Sequence, residues 1–186
     1  MAGVIVMRWV TRAHVHVDRV ACPWLIRRFI DLEAEFKFVP WPGYSLTSED
    51  GTPFDFPDME IPFTHHEGKC TFEVLIDHYK LEDPALHDMA LIVHGADITK
   101  DIDESRDARG TELILSGLAY VSDNDQQAIA RGFVMCDSLY AGLLLRRLRQ
   151  ELGDKIEKMP REAAFQFLYT EFRKRLPTSI RVGPLK

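Results

Sequence analysis

Cysteine is scarce in this chain. There are three in 186 residues, Cys22, Cys70 and Cys136, odd in number and far apart. Such a set makes no disulfide framework, and the expected compartment is the reducing cytoplasm. Basic residues are outnumbered, 23 Lys and Arg against 29 Asp and Glu, for a formal net charge of −6. General nucleic-acid binding needs a basic footprint, so that class of partner is not expected. No apolar run reaches the roughly 20 residues that cross a bilayer. The opening residues also lack the charged head and small-residue cleavage site of a signal peptide. Repeats, low-complexity tracts and interdomain linkers are missing too. With 46% hydrophobic and 28% charged residues, a chain of this length is expected to form one domain, residues 1–186, with a real core.

Periodicity gives the elements. Residues 8–18, RWVTRAHVHVD, alternate Val with polar residues and read as a strand with one buried face. Cys22-Pro23 opens CPWLIRRFIDLE, an amphipathic pattern with proline in its first turn, and EFKFVP at 35–40 reads as a second strand beside the first. Residues 40–63 hold seven prolines and glycines and are expected to be mostly loop, with a short extended piece at Asp55-Phe56. A helix follows Cys70. Another starts at Asp83-Pro84, an Asp cap with proline at the first helical position. Three more are expected over 108–121, from after Asp123 to near Gln150, and from Pro160 to about Leu176. The fold class is therefore α+β and helix-dominated, a small N-terminal β-sheet packed on a group of about five helices. The sheet and its helix occupy about 1–63 and the helical part about 70–176.

Five of the seven histidines lie between Thr64 and Asp97, with Cys70 and several carboxylates. Imidazole and carboxylate are the common ligands of divalent metals. At about 100° per residue, His94 and Asp97 share a side of their helix. An antiparallel partner across the Leu81–Pro84 joint would bring Glu73 toward them. His65 or His66, in the loop before Glu73, could then cap the site. The candidate ligands are His66, Glu73, His94 and Asp97, a shell suited to Zn, Fe, Mn or Ni. No HExxH spacing is present, and His78 and His87 read as helix-surface residues.

A second group is basic. Arg12, Arg19, Arg27 and Arg28 gather around the first strand and the helix after it, where guanidinium forks could hold an anionic ligand. Arg27 and Arg28 could equally form the solvated side of an amphipathic helix. Arg19 next to Asp18 suggests a buried Asp–Arg pair. Cys22 reads as a small buried residue, Cys70 leaves ligation open, and Cys136 reads as core. Asp137, flanked by apolar residues, needs polar partners and joins Arg19 and Arg27 as a candidate catalytic residue. The stripe Leu139, Leu143, Leu144 and Leu148 is either core or a homo-oligomer surface.

The blocks HVDRVACPWLIRRFIDLEAEFKFVP, HHEGKCTFE, LEDPALHDMALIVHGAD and MCDSLYAGLL resemble the C-terminal domain of ChrB-type chromate-resistance proteins, over about residues 9–145. The resemblance implies a bacterial protein linked to chromate resistance. Longer members of that family carry a further N-terminal domain and regulate an efflux operon. The shared block opens here almost at the first residue, so a transcription-factor role is not expected. Positions matching the family's blocks include Asp18, Arg19, Cys22, Trp24, Arg27, His66, Cys70, Glu73, Asp97 and Asp137.

Two functions follow as expectations. One is a small metal-dependent protein, possibly a lyase or hydrolase, that holds a divalent ion and acts on an anionic substrate. The other is a non-catalytic sensor of chromate, another oxyanion or a metal, acting with a regulatory partner. No membrane association is expected of either.

Overall fold

In the computed structural model, which describes residues 7–181, a sheet of three short parallel strands is combined with seven α-helices, the first of which falls between the first two strands. Strand β1 (Arg8–Arg12) lies between β2 (Glu35–Val39) and β3 (Thr52–Pro53), with Trp9 opposite Phe36 on one side and Thr52 on the other. Strand period 2 sends Trp9 into the main core. Val10 points the other way, into a small cluster with Val39 and Phe56. Both sides of β1 are thus covered, where alternation alone suggested one. The strand also stops at Arg12, well short of Asp18.

The segment after it turns into helix six residues earlier than Cys22-Pro23 signals. Helix α1 runs over Val17–Leu25 and is buried along its whole length, with Pro23 inside it. Proline lacks the N–H that would reach back four residues. The chain accommodates this with a wider turn over Ile26–Ile30 in which the bonding shifts to i→i+5. Gly132 lets α1 approach the long helix α5 (Asp125–Glu157), because a Cβ there would lie 2.2 Å from Val20 Cγ1.

Helix α2 (Thr71–His78) starts with reciprocal capping between Cys70 and Glu73. Helix α3 (Pro84–Asp97) is capped by Asp83, whose Oδ1 accepts from the N–H groups of Ala85 and Leu86. The other oxygen of Asp83 accepts from the Tyr140 hydroxyl at 2.7 Å and so ties α3 to α5. Helix α4 (Ala108–Gly117) packs on α3, and α6 (Arg161–Arg175) packs on α5. A last short helix, α7 (Thr178–Arg181), forms beyond the last helix expected from the sequence, and Arg28 donates to its Ser179 carbonyl.

Helix α5 also runs past Gln150, continuing through Gly153 to Glu157. By length and composition α5 would qualify to cross a bilayer. Its apolar side is instead occupied within the fold, with Phe133, Cys136, Tyr140, Leu143 and Leu148 all buried. Leu143, Leu144 and Leu148 of the proposed leucine stripe face the core, and Leu139 packs partly against it.

Candidate metal centre

Four segments meet where α1 begins: the end of β1, the loop carrying Asp55, the turn before α2, and the last turn of α3. Asp18 stands in the first turn of α1 and is buried. Its Oδ2 accepts from the Thr71 N–H at 2.6 Å, and its Oδ1, also buried, has no hydrogen-bond partner among the described residues. Asp97, at the end of α3, accepts from the Asp18 N–H through Oδ1 at 3.2 Å. Asp55 adopts a left-handed backbone, φ +52°, which Asp tolerates better than most residues. That conformation turns its carboxylate inward. There Oδ2 accepts from Arg19 Nη1 at 2.8 Å, and Oδ1 lies 3.4 Å from Thr71 Oγ1.

One imidazole nitrogen sits among all three carboxylates. Nε2 of His65 is 3.1 Å from Asp97 Oδ2, 3.3 Å from Asp18 Oδ2 and 3.8 Å from Asp55 Oδ1. A single proton cannot bond to three acceptors at once, whereas a cation can neutralise all of them. The titration behaviour reflects this crowding. Burial first, then the charge of Asp97, pushes the Asp18 carboxyl up to about 6. Hydrogen bonds to Asp18 and then Asp97 raise His65 to about 10. Burial acts to raise Asp97, but hydrogen bonds from His16 and His65 outweigh it and hold that carboxyl below its usual range.

A second cluster adjoins the first. Glu73 Oε2 accepts from the Cys70 N–H at 3.0 Å and lies 2.6 Å from His94 Nδ1. On the far side of the ring, His94 Nε2 is 3.2 Å from Asp101 Oδ2. Burial opposes protonation of His94, but the two flanking carboxylates prevail and its pKa is raised. Burial drives the Cys70 thiol well above its ordinary range.

The candidate residues divide accordingly. Glu73 and His94 are in direct contact, as the antiparallel helix pair requires. Asp97 stands one turn further along α3, against His65 rather than Glu73. His66 lies outside both clusters. Its backbone pairs with Lys69 in both directions across a tight turn, and its side chain is 73% exposed beside Glu67. Of the two neighbouring histidines, the turn sends His65 inward and His66 outward.

Arg19 is buried as the sequence suggests, but its carboxylate partner is Asp55 rather than Asp18, and its other arm donates to the His14 carbonyl. Arg27 donates to the Ala34 carbonyl beside β2, away from the cluster. Asp137 accepts from Trp24 Nε1 at 2.7 Å and from both Arg28 Nε and Nη2. Arg28, read as a surface residue in one alternative, is thereby buried. Asp137 and Arg27 therefore touch none of the cluster's ligand atoms. Asp18 and Asp55, which belong to this cluster, and His16, 3.6 Å from Asp97, were not among the candidate ligands read from the sequence. Only the HVHVD spacing around the start of α1 hinted at two of them, and nothing marked Asp55.

A pocket of about 570 Å³ opens beside His65 and Asp55, lined also by Arg12, Met59 and Thr64. Arg12 is partly exposed there, its Nε donating to the Asp55 carbonyl at 3.0 Å.

A model of the family described as ChrB, C-terminal domain, matches residues 9–143. The chain belongs to the ChrB C-terminal domain family. Protein ChrB of Cupriavidus metallidurans is 36% identical over 134 residues, which cover 72% of this chain and 40% of that protein. The chain therefore spans about two fifths of its curated relative. No solved structure matches it. All residues of both clusters fall inside the family match, which ends within α5, so α6 and α7 lie beyond it. This is the chromate-resistance family that the sequence blocks imply.

Proposed function

We propose that this chain is a cation-dependent member of the family, holding a divalent ion among Asp18, Asp55, His65 and Asp97. The carrying observation is the buried, unpartnered Oδ1 of Asp18 within a cluster whose three carboxylates share one imidazole nitrogen. Leaving a carboxylate oxygen buried without a partner is costly, and a divalent ion would remove that cost. The mixed oxygen and nitrogen donor set suits a hard or borderline metal such as Mn, Fe, Ni or Zn. When bound, such an ion would supply Lewis acidity to an oxygen of a small substrate.

Arg12, at the mouth of the adjoining pocket, would receive an anionic group of that substrate. Arg19 holds Asp55 and the His14 carbonyl in place and is a positioning residue. The charge arrangement speaks against the alternative of a bare oxyanion sensor. Both arginines near the cluster already bond to Asp55, and Asp58 and Glu60 line the same pocket. Without a bound cation to offset these carboxylates, a doubly charged oxyanion would meet more carboxylate than free guanidinium. Three free, buried cysteines fit a cytoplasmic setting.

Elemental analysis and calorimetric titration with Mn²⁺ and Zn²⁺ test the reading. The chain is expected to take up one equivalent at this site, with His65→Ala and Asp18→Asn each losing it. His66→Ala should bind as the unaltered chain does. Full occupancy in both His65→Ala and Asp18→Asn would overturn the assignment, as would a chain that ignores both metals and is stabilised by chromate or sulfate instead.

A further inference from the structure

We infer that Cys70, Glu73 and His94 form a second cation site, softer than the carboxylate centre beside it and independent of it in composition. Ligand atoms of these three residues lie within 4.8 Å of one another, and they come from three different functional groups. A thiolate, an imidazole and a carboxylate together match the donor preferences of zinc, cobalt or cadmium rather than those of magnesium or calcium. No residue of this set belongs to the Asp18–Asp55–His65–Asp97 group.

The orientation of His94 is the independent observation that points to a ligand. Asp101 Oδ2 stands 3.2 Å from Nε2. Metal-binding histidines commonly donate one ring N–H to a carboxylate, which fixes the tautomer and turns the other nitrogen to the ion. With Nε2–H given to Asp101, Nδ1 is the nitrogen that faces Glu73 and Cys70. Glu73 is held in turn by the Cys70 N–H, and the Cys70 sulfur, at the N-cap of α2, accepts from the Glu73 N–H. Three donors are thus aimed before any ion arrives. On binding, the thiol proton and the proton shared by His94 and Glu73 would leave to solvent.

The two centres share supports but not ligands. The Thr71 N–H, one residue after Cys70, bonds to Asp18, and Asp97 follows His94 by three residues on α3. A cation at one centre would therefore stiffen the backbone of the other.

Titration of the reduced full-length chain with Co²⁺ and with Cd²⁺ tests the inference, because thiolate coordination adds a sulfur-to-metal charge-transfer band that oxygen and nitrogen ligands do not give. The unaltered chain is expected to show the band and to bind two equivalents. Cys70→Ser should abolish the band and remove one equivalent, and His94→Gln should weaken it strongly without depending on replacement of the buried thiol. Asp101→Asn should keep the band while lowering affinity by about 10–100-fold. His65→Ala should keep the band and lose only the other equivalent, so that failure of the carboxylate centre and failure of this one give different results. Absence of the band in the unaltered chain would overturn the inference. So would its persistence in Cys70→Ser, which would assign it to Cys22 or Cys136, or its loss in His65→Ala, which would mean one merged site.

Discussion

Asp18 and Asp137 are both carboxylates set against α1 or the turn that follows it, yet their surroundings differ in one decisive respect. Asp137 has its partners: the Trp24 indole N–H and a two-pronged contact from Arg28, whose remaining arm reaches the Ser179 carbonyl. Opposite charges cancel and the donors are used. Asp18 instead faces Asp97 and Asp55, shares His65 with both, and keeps one oxygen without a partner among the described residues. A satisfied buried pair fastens elements together. An unsatisfied, like-charged cluster is worth keeping only where something else completes it. On this comparison the proposed cation site uses Asp18, while Asp137 serves the packing of α5 on α1.

The largest effect that could break this contrast is expected at Asp137. Asp137→Ala would strand the buried Arg28 guanidinium and should cost about 3 kcal/mol in chemical denaturation, near the low end for a broken buried pair because the Asp137 side chain keeps 20% exposure. Metal uptake should not change. A loss below about 1 kcal/mol would mean that the pair is not structural. Arg28→Met combined with Asp137→Leu should recover most of the stability, since two apolar groups leave no charge unpaired.

Gly132→Ala comes next. A methyl group 2.2 Å from Val20 Cγ1 forces α1 and α5 apart, with an expected loss of about 1–3 kcal/mol. Because Asp18 rides on α1, metal affinity should weaken in the same variant. Unchanged affinity would show the site to be insulated from that packing.

Asp18→Asn should do the reverse of Asp137→Ala: the ion is lost while the melting temperature of the ion-free protein stays level or rises. The sign follows from the raised carboxyl. A group whose folded pKa, about 6, exceeds the unfolded value of about 3.9 is destabilising when charged, so neutralising it at pH 7 relieves the fold. A clear drop in melting temperature would make Asp18 a structural residue like Asp137.

The smallest effect belongs to Asp50, which lies outside both regions. Its carboxylate takes the Lys37 ammonium, the Tyr44 hydroxyl and the Thr47 N–H and hydroxyl. The Lys37 contact first, then the Thr47 N–H, hold it well below the usual range. A depressed carboxyl contributes stability above its unfolded pKa, and that contribution fades as pH falls below about 4. Asp50→Asn should therefore be slightly less stable at pH 7 and approach the unaltered chain in acid. A gap that widens in acid would reverse the argument.

Much of this was legible beforehand because it rests on local signals. Asp83-Pro84 announced α3, and EFKFV announced β2, since caps and alternation act within a few residues. Glu73 and His94 could be brought together from helix spacing and one short joint. Other features were hidden for reasons equally physical. The choice between His65 and His66 depended on a turn closed by Lys69, not on either residue's neighbours. Arg28 and Asp137 are more than a hundred positions apart, and only the packing of α5 on α1 makes them partners. Asp55 sits in a loop whose left-handed backbone no periodicity reports.

The chain's own order of residues determined a helix-dominated α+β architecture, kinship with the ChrB C-terminal domain, and a concentration of imidazole and carboxylate groups in its middle third. Those are matters of pattern and composition, which short-range interactions read directly. Which carboxylates face each other, which are neutralised and which one is left with a bare oxygen were decided only when four distant segments closed around the first turn of α1. Desolvation and charge pairing depend on what surrounds an atom in space, and that is a property of the assembled fold.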